Sequence, residues 1–158
     1  MRAMPKVLSQ IECELVVAGE FYEPVDRYLR IIREVGIERH VHIANRYIPN
    51  EEVGELFGRA DVLILPYLSA SQSGVAQIAL ANGLPIIASK TGGLPEVITE
   101  NVNGLLVPAG DSDALAEAII AYFAGELMKT MKENLLSSRP VLETEGAGKI
   151  IEEMASGN

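Results

Sequence analysis

Five short apolar runs punctuate the chain, and longer mixed segments separate them. The runs are Leu15-Val16-Val17-Ala18, Val41-His42-Ile43-Ala44, Val62-Leu63-Ile64-Leu65, Pro85-Ile86-Ile87-Ala88 and Leu105-Leu106-Val107. Near-continuous apolar character, rather than alternation, predicts strands covered on both faces. Pro85 has no N–H to give a ladder and fits only at the first position of its strand. Between the runs lie helical patterns. Pro24 to Val35 places Val25, Tyr28, Leu29, Ile32 and Val35 at helical spacing and closes at Gly36. Pro49-Asn50-Glu51-Glu52 opens a helix to about Arg59, with Val53, Leu56 and Phe57 inward. Val75 to Asn82 is nearly all apolar, which predicts a buried helix, and Gly83 stops it. Asp111-Ser112-Asp113 opens a helix over Ala114–Phe123, with its acids at the end the helix dipole favours. Further helices are predicted over Met4–Ile11, Glu126–Leu136 and Glu145–Met154. Alternating strands and helices specify an α/β fold with a Rossmann-like, doubly wound parallel sheet, here one domain over residues 1–158.

Such sheets bind ligands at the carboxyl ends of their strands. The stretch from Asp61 to Val97 says most about a ligand. Its first strand runs through Pro66 into Ser69-Ala70-Ser71-Gln72-Ser73-Gly74-Val75, and its second into Lys90-Thr91-Gly92-Gly93-Leu94-Pro95-Glu96. Each is a small, polar, glycine-bearing turn that opens a helix, where backbone N–H groups can meet an anion such as a phosphate. A cap needs one such residue, whereas Ser69, Ser71, Gln72, Ser73 and Gly74 cluster, which favours a ligand over capping alone. Gly92-Gly93 is either a plain turn or a second arm of the crevice, and its place at a strand end favours the second. Glu96 serves either the dipole of its helix or a ligand. Lys90 faces the crevice or is a surface lysine, the second being the stronger reading.

Charge narrows the partners. A net charge of −9 argues against nucleic acid, whose binding rests on cations. An anionic ligand would be held by local backbone dipoles against the overall charge. Glu23, Asp26, Arg27, Arg30 and Glu34 form i,i+4 pairs, read as a solvated helix face. No apolar run is long enough to span a bilayer, and Met1-Arg2-Ala3-Met4-Pro5 has no signal-peptide core. The expectation is a cytoplasmic protein, or a soluble piece of one peripheral to the inner membrane face. Cys13 stands alone, a structural thiol at a strand start rather than part of a disulfide framework. His40 and His42 lie two apart on one strand face without a third ligand, so neither a metal site nor a His-containing triad is expected, and no cofactor is implied.

In order and spacing, these residues resemble the carboxyl-terminal, nucleotide-sugar-binding domain of GT-B glycosyltransferases of the retaining family four. Leu15–Gly19 resembles that family's second strand and glycine turn, and Val41–Glu52 its third strand and following loop. Ala60–Pro66 resembles its fourth strand, and Ala79–Ser89 its helix-Gly-x-Pro-strand signature. Thr91–Val97 and Asn103–Pro108 complete the match. The resemblance implies hexosyl transfer from a nucleotide diphosphate sugar. It also implies donor contacts at Gly19, Tyr47, Ser71, Gln72, Ser73, Gly74, Val75, Lys90, Gly92, Gly93 and Glu96. Tyr47 would lie near the nucleotide base or pack on the neighbouring helix, with equal weight.

Two departures stand out. The family's paired glutamates fall at Ala70 and Ile78, which offer no side-chain acceptor. The family's first strand, with its Gly-Arg and Lys-Gly cations, has no counterpart before Leu15, and Met4 to Ile11 reads as the helix that follows it. In the order 3-2-1-4-5-6 that strand is central. The expectation is therefore a donor domain without its first strand and without an acceptor domain: a fragment of a glycosyltransferase, or one chain of a split enzyme completed by an acceptor-domain chain or by self-association. No side chain is named as a catalytic base or nucleophile. A degenerate module kept for interaction alone is the remaining alternative.

Overall fold

Each apolar run forms a strand, and every strand pairs in parallel with its ladder neighbours. The computed structural model describes residues 1–69 and 73–138. In chain order these hold α1 (Met4–Leu8), β1 (Leu15–Ala18), α2 (Val25–Glu34), a 3-10 turn (Glu38–His40), β2 (Val41–Ala44), α3 (Asn50–Gly58) and β3 (Leu63–Leu65). Then come α4 (Gly74–Ala81), β4 (Ile86–Ser89), α5 (Leu94–Val97), β5 (Gly104–Val107), α6 (Ser112–Ala124) and α7 (Leu127–Ser137). Ala70, Ser71, Gln72 and the helix expected over Glu145–Met154 lie outside the described residues.

The strands fall into two sheets. β1 pairs with β2, Leu15 opposite Val41. β3, β4 and β5 form the second sheet, with Ile86 opposite both Leu63 and Gly104. No ladder joins β1 to β3, and the break falls where the first strand of the order 3-2-1-4-5-6 would lie. Three apolar clusters bind the layers. α3, α4 and α5 cover one face of β3–β4 through Phe57, Ala76, Ala79 and Leu94. On the other face Val7 of α1, Ala116, Ile119 and Tyr122 of α6 and Met131 of α7 pack on Ile87 and Val107. Met4, Ile32 and Ile37 pack under β1 and β2. Cys13 touches both of the last two clusters, so the segment leading into β1 bridges the sheets. Burial pushes its thiol up, as befits a structural cysteine.

Four expectations change. β4 is buried at every position, but β1 is half-open, with Val16 52% exposed, because no described helix covers its second face. α4 is amphipathic rather than buried: Ala76 and Ala79 face the core, while Val75 and Ile78 are exposed. His40 belongs to the 3-10 turn and not to a strand, and His42 meets Glu14 at 3.3 Å. α1 ends at Leu8, ahead of Ile11. Of the expected i,i+4 pairs, Glu23–Arg27 forms at 2.6 Å among the described residues. No described helix is long and apolar enough to cross a membrane.

Candidate functional site

Parallel pairing brings the carboxyl ends of β1 and β2 to one edge of their sheet, and those of β3, β4 and β5 to one edge of theirs. Gly19 follows β1, Asn45 follows β2, Pro66 follows β3, Lys90 follows β4 and Pro108 follows β5. Of the sequence-predicted residues, Gly19 and Tyr47 follow β1 and β2, while Ser73, Gly74, Val75, Lys90, Gly92, Gly93 and Glu96 follow β3 and β4; Ser71 and Gln72 lie outside the described residues.

After β3, Ser73 caps α4. Its hydroxyl accepts the Ala76 N–H at 3.3 Å, so the capping role is real. Gly74 and Val75, which follow, give their N–H groups to no acceptor among the described residues. A Cβ built on Gly74 would meet nothing within 4 Å among the described residues, so as far as these go the backbone here is open to a ligand. Beside it, β4 ends in Ser89, which is buried, and Lys90, which is exposed. Lys90 gives its backbone N–H to the Val107 carbonyl at 2.7 Å, and its ammonium has no ion pair among the described residues. Gly92 turns the chain at φ 54°, and neither it nor Gly93 gives its N–H to a described backbone acceptor. The helix they open is a single turn, so its dipole is small and these N–H groups act individually. Glu96 lies exposed on that turn.

In the two-stranded sheet, Gly19 adopts φ 129° and gives its N–H to the Ala44 carbonyl at 3.1 Å, closing the end of the β1–β2 ladder. The Phe21 N–H donates to Asn45 Oδ1 at 3.1 Å, which ties the loop after β1 to the loop after β2. Arg46 donates to the Tyr47 carbonyl at 3.2 Å and pairs with Glu52 in the first turn of α3. That partner holds the Glu52 carboxyl below the usual carboxylate range and raises Arg46. Tyr47 is 63% exposed, with its ring in solvent and not packed on α3.

Sequence reasoning passed over Asn45, Arg46, Tyr22 and Arg2. Arg2 lines a shallow hollow of about 170 Å³ with Pro66, Ser89, Val107 and Asp111, and so brings a cation to the strand ends. Asp111 itself is engaged by the Asp113 and Ala114 N–H groups as the cap of α6. A larger hollow, about 470 Å³, lies between α2 and β2, away from this edge. Among the described residues no group of three His, Cys, Asp or Glu could hold a metal.

Comparison with known proteins gives this chain a family. A family model for glycosyl transferases group 1 matches residues 1–124. The amylovoran biosynthesis glycosyltransferase AmsK of Erwinia amylovora is 36% identical over 103 residues, covering 61% of this chain and 25% of its own. An uncharacterised glycosyltransferase of Methanocaldococcus jannaschii is 32% identical over 117 residues, covering 73% of this chain and 29% of its own. The chain thus spans between a quarter and a third of these relatives. Among solved structures, HepE of Anabaena in complex with UDP-glucose superposes with a TM-score of 0.73 at 23% identity, over 87% of this chain and 39% of that one. The carboxyl-terminal domain of a group 1 family glycosyl transferase (LpcC) from Francisella tularensis gives 0.73 at 18% identity, over 86% of this chain and 75% of that domain. These neighbours share the GT-B, Rossmann-like fold. By its matched length and its fold, the chain belongs to the group 1 glycosyl transferases.

Proposed function

We propose that this chain is the donor-binding domain of a glycosyltransferase and seats the diphosphate of a nucleotide diphosphate sugar against the amino-terminal turn of α4. The observation that carries this reading is the pair of N–H groups on Gly74 and Val75, open and without described acceptors. The Gly92-Gly93 turn would form the second wall, and Lys90 and Arg2 the nearby cations. The complex of HepE with UDP-glucose supports the ligand class.

In transfer, the bond between the sugar's anomeric carbon and the diphosphate oxygen breaks, and negative charge grows on the departing diphosphate. Fixed N–H dipoles aimed at that oxygen stabilise the charge as it forms. An acidic chain draws the ligand in through this local field and not through its net charge. The sugar, the acceptor and any base that activates the acceptor would be met by groups beyond the described residues.

Titration with uridine, guanosine and adenosine diphosphates tests the reading. At least one should bind at millimolar concentration or better. Gly74→Ala should bind as the parent does, because the added methyl meets no described residue within 4 Å. Gly74→Asp should weaken binding about tenfold or more, since its carboxylate competes with the phosphate while still suiting a helix start. Absence of binding by all three diphosphates would overturn it.

A second reading, a non-catalytic subunit completed by another chain, is favoured by the break in the sheet. β1 and β3 each keep one edge without a strand partner among the described residues, and Val16 is exposed beside that edge.

A further inference from the structure

The hollow beside Arg2 opens on the face of the β3–β5 sheet away from α4. Ile86 and Ala88 of β4 pack with α4 and α5, whereas Ile87 packs with α1 and α6. Side chains alternate along a strand, so Ser89 points with Ile87. Ser89 is 2% exposed, and its hydroxyl has no hydrogen-bond partner among the described residues. No described side-chain oxygen is both sealed from solvent and unpaired, so this hydroxyl opens on the hollow that Ser89 lines. A hydroxyl so deeply placed costs stability unless something meets it. Around it stand groups of three kinds. Arg2 offers donors only, the Asp111 carboxylate acceptors only, and the hydroxyls of Ser89 and Ser112 both. Asp111 Oδ1 takes the Asp113 and Ala114 N–H groups, which fixes the side chain, and Oδ2 has no donor among the described residues. Pro66 and Leu115 give an apolar floor. Leu68, 77% exposed, comes within 3.5 Å of a Cβ built on Gly110 at the rim.

We propose that this hollow binds a neutral hexose unit, whose adjacent hydroxyls are shared by Arg2, Ser89 and Asp111 and whose ring lies on the apolar floor. An anion would meet the Asp111 carboxylate, and a cation would meet the Arg2 guanidinium. A hydroxyl both gives and takes, so a pair of them satisfies a donor-only group, an acceptor-only group and a serine together. Apolar walls with a few convergent polar groups are the usual build of a small-ligand site. The volume of about 170 Å³ equals about five waters of liquid, comparable to one sugar ring and too small for a nucleoside diphosphate. This is a second ligand site, on the opposite face from the α4 turn, and it stands whether or not the donor reading holds. Arg2 is the one group the two readings share, so the test relies on Ser89 and Asp111.

Methyl glucoside, methyl galactoside and methyl mannoside, titrated into the full chain and followed through backbone amide shifts, test the site. At least one should bind at millimolar concentration and move the amides of Lys90, Gly110 and Ser112 ahead of those of Gly74 and Val75. Ser89→Ala should weaken that glycoside about fivefold, as loss of one hydrogen bond does. Its melting temperature should equal or exceed the parent's, because the deleted hydroxyl held no described partner. Asp111→Asn keeps a good helix cap, so it should melt as the parent does while binding the glycoside about threefold more weakly. Inorganic phosphate should move the same amides less than the glycoside does. Absence of shifts with all three glycosides, shifts centred on Gly74, or unchanged affinity in both variants would overturn the proposal. So would a lower melting temperature in Ser89→Ala, which would make the hydroxyl structural. Phosphate binding that exceeds the glycoside's and tightens in Asp111→Asn would overturn it in favour of an anion site. None of these results bears on the donor reading, which the nucleoside diphosphate titration decides.

Discussion

Gly104 opens β5 opposite Ile86, and a Cβ built there would lie 2.2 Å from the Ile86 carbonyl oxygen and 3.0 Å from the Ile98 side chain. The first of these is backbone of a buried strand and cannot swing away. Glycine is therefore required for closeness and not for a left-handed backbone, in contrast to Gly19 and Gly92, whose φ values of 129° and 54° are the constraint. Gly104→Ala should push β5 off β4 and lower stability by about 1–3 kcal/mol, as overpacking in a core does. A shift in the urea midpoint checks this; a midpoint equal to the parent's would show that β5 can move at no cost. Gly74→Ala is the matched comparison, since the same methyl there meets nothing within 4 Å among the described residues.

At the scale of elements, Asp61 fastens three pieces together. The Tyr122 hydroxyl of α6 donates to the Asp61 carbonyl at 2.8 Å, and Lys132 of α7 reaches its carboxylate at 2.8 Å, just before β3 begins. Tyr122 is buried, and burial, followed by the Asp61 charge, pushes its hydroxyl well above the ordinary tyrosine range. A pKa raised on folding means the native state holds the proton more tightly. The stability this contributes is complete below about pH 10 and is lost as the pH climbs through the ordinary tyrosine value toward the folded one. Tyr122→Phe should lose about 1 kcal/mol at neutral pH from the hydrogen bond. It should also show a shallower fall in denaturation midpoint above about pH 10. Equal alkaline slopes in the two proteins would contradict the assignment. These elements were largely legible in the chain. Ile86-Ile87-Ala88 announces a strand buried on both faces, and Asp111 announces the start of α6 through its short polar side chain. The exposure of β1 was not legible, because Leu15-Val16-Val17-Ala18 has the same apolar pattern and burial depends on which neighbours arrive. The outward face of α4 escaped for the same reason. Of the site, turn chemistry pointed to Gly19, Ser73, Gly74 and Gly92. The Asn45 and Arg46 braces did not show, since Arg46 and Glu52 are six apart, a spacing no regular element brings together.

At the scale of the whole molecule, the break between β1 and β3 is the feature that most needs a partner. In a parallel ladder, alternate residues direct their N–H and C=O groups to opposite neighbours, so about half of those on β1 face the unpaired edge. Exposed strand edges of this kind recruit other strands. Ile11 and Cys13, which lead into β1, pack against the same cluster as Val62 and Ile64 beside β3, so both edges border a shared apolar floor. One parallel strand laid there would bond to both sheets. If a second copy of this chain supplies that contact, light scattering should show association that grows with concentration, and hydrogen exchange at Leu15–Ala18 and Leu63–Leu65 should slow as it does. Val16→Lys, which places a charge on the exposed face of β1 without touching the core, should weaken the association. A chain that stays monomeric at high micromolar concentration, with fast exchange in both strands throughout, would exclude the second copy. An acceptor-domain chain mixed in at the same concentration should then slow exchange in the same two strands, and an exchange pattern unmoved by it would sink the subunit reading altogether.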